Sequence, residues 1–185
     1  MRLIAVAWPA RRPDSGSTPH EDRAMQDLLT QYAYDRESCL LAVSAEISRS
    51  TRKPSPEEFG VMVDAFSCTG GLLGADELAS RIASTVSNGI GMVARWIVER
   101  QAVSLYWRGG YWLPAFQFTG PSMLLRASLG AVLDELAPVL DDWDLACWFA
   151  SSNLWLQNRT PACALAHSPC DVLDAARAYR FSICG

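Results

Sequence analysis

The chain has 185 residues, half of them hydrophobic and 19% charged, a balance that marks a folded globular protein rather than a disordered tail. Sixteen Lys+Arg against twenty Asp+Glu give a formal charge of -4, which argues against a polybasic binder of nucleic acid or membrane surface. No apolar run approaches the roughly 20 residues needed to span a bilayer, and the length suits one ordinary domain or two small ones.

Residues 1–55 read as a leader, partly helical or disordered. Leu3 to Trp8 is apolar but stops at Pro9, too short for the roughly 7–15 apolar residues of a secretory signal, so a cytoplasmic protein is expected. Pro9 to Pro19 is loop-like, rich in Pro, Ser and Gly. Ala24, Leu28, Leu29 and Tyr32 suggest one helix, and Leu40, Leu41, Val43 and Ile47 a second. Ser48 to Pro56 is polar and proline-punctuated, which places a boundary there.

A second zone, 56–119, opens with a capping signal. Ser55 is the cap, Pro56 takes the first helical position, and Glu58 stands three residues after the cap. Phe59, Met62, Val63 and Phe66 follow as a core stripe, which Gly70 and Gly71 end. A short helix is predicted over 76–83, then a polar turn with Ser84, Ser87, Asn88 and Gly89. The next helix places Ile90, Val93, Trp96 and Ile97 inward and Arg95 and Glu99 outward. Two aromatic β-type runs, Val103 to Trp107 and Tyr111 to Leu113, flank Gly109 and Gly110 and signal a hairpin. Helix, turn, helix and hairpin is the order of a winged helix-turn-helix.

The third zone, 120–185, is helical. Leu129, Val132, Leu133, Leu136 and Leu140 keep a helical period. Asp141 and Asp142 cap a Trp-rich helix with Trp143, Leu145, Ala146, Trp148 and Phe149. Thr160-Pro161 and Ser168-Pro169 sign two further starts, and the last helix is expected to bury Val172, Leu173, Ala176 and Tyr179. The fold class is therefore mainly α, a winged helix-turn-helix with a small β-hairpin followed by a compact helical C-terminal domain.

Arg95, Arg100 and Arg108 against Glu99 give residues 90–113 a net +2. These three are the candidate DNA contacts, with Arg108 as a wing arginine. Three phosphate contacts per protomer are few, so DNA binding calls for a dimer. Cys163, His167 and Cys170 are spaced C-x3-H-x2-C, with Cys147 or Cys184 as a conceivable fourth ligand. Pro169 breaks the helix before Cys170, so part-buried reduced thiols and a helix-end histidine are the simpler account, and no metal or cofactor is expected. With only His20 and His167, and no nucleophile elbow, P-loop or dinucleotide turn, an enzyme is the minor reading. Trp143, Trp148, Trp155 and Phe149 form a dense aromatic set. Trp155 stands in a loop-like segment where burial is not assured, so it is the candidate anchor for a protein partner.

Taken together, Trp143 to Phe149, Asn153 to Leu156, Arg159 to Pro161 and Val172 to Arg177 resemble the toxin-binding domain of Xre/MbcA/ParS-type antitoxins. Gly110 to Phe118 resembles the junction that follows an excisionase- or MerR-like helix-turn-helix in relatives of that family. Ser152 stands where the family often has proline and Asn158 where it has glycine, a place where asparagine tolerates a left-handed backbone. The resemblance implies an antitoxin-like protein that occludes a toxin, RES-type NAD-degrading enzymes being one class. Its N-terminal module would homodimerise and bind operator DNA, regulating transcription of its own genes. By matching position, Asn153, Trp155, Arg159 and Thr160 face the partner, with Arg159 pairing either a toxin carboxylate or the Asp141–Asp144 cluster. The alternatives are a stand-alone DNA-binding regulator and an interaction module without a toxin.

Overall fold

A computed structural model describes residues 54–83 and 88–184, which belong to one compact unit. The leader helices expected near residues 24–32 and 40–47, and most of the turn at 84–87, lie outside the described residues. The protein is mainly helical with small antiparallel sheets. No helix among the described residues is long and apolar enough to cross a membrane.

Helix α1 (Pro56–Phe66) starts as its sequence signals require. Glu58 donates its backbone N–H to the Ser55 hydroxyl at 3.2 Å, and the Ser55 N–H returns the bond to Glu58 Oε2 at 2.7 Å. Met62 and Phe66 are buried, but Val63 is exposed. Phe59 is half-buried and stacks on Trp107 with ring centroids 4.9 Å apart. The expected stripe is thus narrower than its spacing suggested, because the hairpin covers one flank of α1 and leaves the Val63 side in water. A 3-10 turn, Ser67–Thr69, carries the chain to Gly70 and Gly71, both at positive φ, where a side chain would be strained.

Strand β1 (Leu72–Gly74) follows, then α2 (Ala75–Ala83) and α3 (Gly89–Val98). Asn88 caps α3 by accepting from the Gly91 N–H at 2.9 Å. A Cβ on Gly89 would run into the Ala79 carbonyl oxygen, so the close approach of the two helices requires glycine there. Val93, Trp96 and Ile97 are buried as expected, whereas Ile90 is half exposed at the open end of the helix. Strands β2 (Leu105–Trp107) and β3 (Gly110–Pro114) form the hairpin. Its two-residue turn is Arg108-Gly109, both at positive φ, the geometry that matches the twist of a tight hairpin. Strand β1 pairs with β3, giving a three-stranded sheet in the order β1-β3-β2. No sequence signal marked β1, which is only three residues long and owes its conformation to pairing.

Past β3 a second 3-10 turn, Ala115–Gln117, leads into β4 (Phe118–Thr119), which pairs with β5 (Leu124–Leu125). Four helices complete the chain: α4 (Ala127–Leu136), α5 (Asp142–Ala150), α6 (Pro161–Ala164) and α7 (Pro169–Cys184). Leu129, Val132, Leu133, Leu136 and Leu140 are all buried, as their period requires. Asp141 caps α5 by accepting from the Asp144 N–H at 2.8 Å. The last helix buries Val172, Ala175 and Ala176, while Leu173 and Tyr179 are only partly covered.

Two apolar cores result. One lies between α2, α3 and the sheet, around Leu78, Ile82, Val93, Trp96 and Leu113. The other joins the C-terminal helices to Met62, Phe66, Val103, Leu105 and Phe116, with Phe149 fully buried at its centre. Phe116 bridges Phe66 and Phe149, at 5.7 and 4.9 Å between ring centroids. Gln117 sits at the inner edge of this core with no exposed surface. Its side chain mimics a strand partner: Oε1 accepts from the Val103 N–H at 2.8 Å, and Nε2 donates to the Val103 carbonyl at 2.9 Å. A buried amide is tolerated because both of its polar ends are satisfied.

Helix α7 is fastened to α4 by Glu135, which receives Arg180 Nη1 at 2.9 Å and Arg177 Nε at 3.3 Å. The Arg180 bond, then the Arg177 bond, lower the Glu135 carboxyl below its ordinary 4.5. A lowered folded pKa means the contribution is complete above the unfolded value and lost as pH falls through the folded one. Asp142 carries the opposite sign. Burial raises its carboxyl against the pull of Arg100, so its contribution is complete below 3.8 and lost as pH rises through the folded value. A Glu135→Gln variant should therefore lose less melting temperature than the parent on acidification from about pH 6 to pH 3, followed by circular dichroism. An equal loss in both would show that the Glu135 pairs do not couple α7 to α4.

Candidate functional site

The segment Asn153–Thr160 builds a turn closed on itself. Asn153 donates its N–H to the Arg159 carbonyl at 3.1 Å, and its carbonyl accepts from Leu156 and Asn158, both at 3.0 Å. Asn153 Oδ1 takes the Trp155 N–H at 2.9 Å, capping the 3-10 turn Leu154–Leu156. Gln157 and Asn158 then both adopt left-handed backbone, at φ 58 and 61. The asparagine therefore occupies the conformation for which glycine would serve. Arg159 Nε donates to the Leu156 carbonyl at 3.2 Å, and Thr160 caps α6 by accepting from the Cys163 N–H at 3.2 Å.

One residue of the turn, Leu156, is buried at 1% exposure and anchors it in the C-terminal core, while Leu154 and Trp155 point outward at 85% and 73%. Trp155 stands between two open hollows of about 590 and 580 Å³. The first is shared with Arg177, Tyr179 and Phe181 of α7, the second with Asp144, Trp148 and Ser151. Phe181 and Ile183, exposed at 78% and 50%, extend the apolar surface along the end of α7. Trp148 itself is buried, packed edge-on to Phe149 at 5.0 Å, and its indole N–H has no acceptor among the described residues.

The structure thus brings Asn153, Trp155, Arg159 and Thr160 together in one turn, in different roles. Trp155 is displayed; Asn153 and Thr160 are spent on backbone bonds that shape the turn. Of the two pairings open to Arg159, the one to the Asp141–Asp144 cluster is not made: among the described residues Arg159 has no ion pair, and Asp142 pairs with Arg100 instead. The sequence missed Phe181, because its spacing in α7 looks like that of any half-buried helical aromatic.

The three arginines fare differently. Arg95 is exposed on α3, and Arg108 stands at the hairpin tip with its guanidinium 5.2 Å from the centre of the Trp107 ring. The groove between hairpin and helices, about 740 Å³, is lined by Arg108 together with Asp76, Glu77 and Ile90. Arg100 turns inward instead. At φ 52, it donates to Asp142 Oδ1 at 3.0 Å and to the carbonyls of Ala137 and Leu140, closing the end of α3 onto the loop before α5.

Cys163, His167 and Cys170 do not converge. No group of three or more metal-ligating side chains exists among the described residues. The thiols are also less covered than expected: Cys68, Cys163, Cys170 and Cys184 are exposed and Cys147 is half-buried. The physical reason is placement: Cys163 and Cys170 sit in the first turns of α6 and α7, where α-helical spacing turns them from the core. No family model matches the chain, and neither the curated proteins nor the solved structures give a match.

Proposed function

We propose that the chain is an antitoxin-like protein in which the Asn153–Thr160 turn docks on a partner toxin and covers its active site. Trp155 carries this reading. A tryptophan and a leucine held out in water on a hydrogen-bonded turn are not needed to close the core, and apolar surface of this kind is stabilised when a partner covers it. Tryptophan and arginine are the residue types that dominate interface energies, and Arg159, exposed in the same turn as Trp155, makes no ion pair among the described residues. The resemblance of the segment to Xre/MbcA/ParS-type antitoxins names the partner class, with RES-type NAD-degrading toxins first among them.

Residues 56–119 form the DNA-binding half on this proposal. The order α1, β1, α2, α3 and hairpin, with β1 returning to pair β3, supports a winged helix-turn-helix. Arg95 on α3 and Arg108 at the wing, which make no ion pair among the described residues, are its candidate phosphate contacts, acting in pairs across a homodimer. The two halves are similarly acidic, with four basic and six acidic side chains in 56–119 against four and seven in 120–185, so any attraction for DNA is local to Arg95 and Arg108.

The test is growth rescue and pull-down against a co-expressed RES-type toxin. Trp155→Ala combined with Arg159→Ala should weaken the complex about 100-fold or more, while the melting temperature stays within a few degrees because both side chains are exposed. Unchanged rescue by this double variant, or no rescue by the parent, overturns the reading. Operator binding should lose about one unit of salt slope for each of Arg95→Ala and Arg108→Ala.

A further inference from the structure

Cys68 is the middle residue of the 3-10 turn after α1, and Cys163 is the third residue of α6; they are 95 positions apart in sequence, yet their Sγ atoms lie 3.9 Å from each other. Both side chains are exposed. We infer that Cys68 and Cys163 are a redox-active dithiol, a site that small-molecule disulfides oxidise reversibly to an intramolecular disulfide.

The geometry needs little change. A disulfide requires sulfurs about 2.05 Å apart, so the pair must approach by roughly 2 Å, within reach of side-chain rotation at two solvent-facing positions. No core side chain has to move, since neither cysteine belongs to either apolar core. Cys68 Sγ also lies 4.0 Å from the Ala65 carbonyl oxygen, which holds it over the end of α1. The Cys163 backbone is fixed by its N–H bond to the Thr160 hydroxyl, a bond that does not involve the sulfur.

The exchange balances without a metal or cofactor. One thiol of the pair gives up its proton, and the thiolate attacks a sulfur of an oxidised glutathione-type disulfide. A mixed disulfide forms, and the first small thiolate leaves and takes up a proton. The second protein thiolate then attacks the protein sulfur of the mixed disulfide, forming the Cys68–Cys163 bond and expelling the second small thiolate, which is also protonated. Two protein thiols are oxidised and one small disulfide is reduced to two thiols. The hydrogen bond shared with Cys163, followed by burial, favours the protonated Cys68 thiol and raises it above its ordinary 9.0, so the pair should react faster as pH rises toward that range.

Closing a loop of this length restrains the unfolded chain strongly. The bond would tie the end of α1 to α6, next to the turn that displays Trp155. The site itself stands on the sulfur geometry alone and does not depend on what Trp155 binds.

The test equilibrates the reduced full-length chain with oxidised glutathione, then alkylates, digests and maps the peptides. A Cys68–Cys163 cross-link with loss of two hydrogens is expected, with a rise in melting temperature of roughly 5–10 °C that dithiothreitol reverses. Cys68→Ser and Cys163→Ser should each abolish the rise, and Cys170→Ser should leave it. Both thiols remaining alkylatable at equilibrium, persistent glutathione adducts on either cysteine, or a cross-link between other cysteines overturns the inference. The peptide map is made on the parent chain, so the outcome stands even where a serine variant fails to fold.

Discussion

Replacing Gln117 with leucine should destabilise the protein by about 3–5 kcal/mol, although leucine is of similar size and the site is apolar on most sides. The side chain is fully buried and holds both backbone groups of Val103, the N–H at 2.8 Å and the carbonyl at 2.9 Å. Leucine leaves both groups buried with no partner, and each costs about 1–3 kcal/mol of desolvation. In a chain of this size the melting temperature should fall by roughly 10 °C in thermal denaturation. Gln117→Glu separates the two bonds. A carboxylate accepts from Val103 but cannot donate to it, so this variant should be unstable at neutral pH and regain stability as acid supplies the missing proton. Two variants as stable as the parent would mean that water replaces the amide.

The second large effect concerns Arg100. Removing its side chain in Arg100→Ala should cost about 3 kcal/mol, because Asp142 and the carbonyls of Ala137 and Leu140 lose their donor together. Lysine should recover little, since one ammonium cannot match the fork that reaches three acceptors. Arg100→Gly should be about 1 kcal/mol more stable than Arg100→Ala, because φ 52 strains any residue with a Cβ. Chemical denaturation of the three variants orders them. The result also bears on the proposed DNA binding: if the chain binds an operator, a loss with Arg100→Ala would report a loosened α3–α5 junction, whereas losses with Arg95→Ala or Arg108→Ala would report contact with DNA.

Elements with local punctuation were legible in the chain itself. Ser55-Pro56-Glu57-Glu58, Asp141, and Thr160-Pro161 each start a helix where they stand, because an N-cap satisfies backbone donors within three residues and needs no distant partner. The hairpin was legible for the same reason, although its turn is Arg108-Gly109 and Gly110 already belongs to β3. Strand β1 and the β4–β5 pair were not, since two or three residues become strands only when a partner edge is supplied. At the candidate site the turn residues could be named from their types, but not their division of labour. Asn153 and Trp155 are two residues apart, and one is spent on the backbone while the other faces solvent.

By itself, then, the sequence determined a mainly helical chain, the starts of its helices, the apolar faces of α3 and α4, and Trp155 as the residue in need of a reason. Those features follow from periodicity and capping, which act over one or two turns. Only the tertiary structure decided that Arg100 is a structural clamp, that Gln117 completes the hydrogen bonding of Val103, that Phe181 shares a surface with Trp155, and that Cys68 meets Cys163 and not Cys170. Each of these joins residues that are distant in the chain. Their energies depend on separation in space, and no local pattern of residue types encodes that distance.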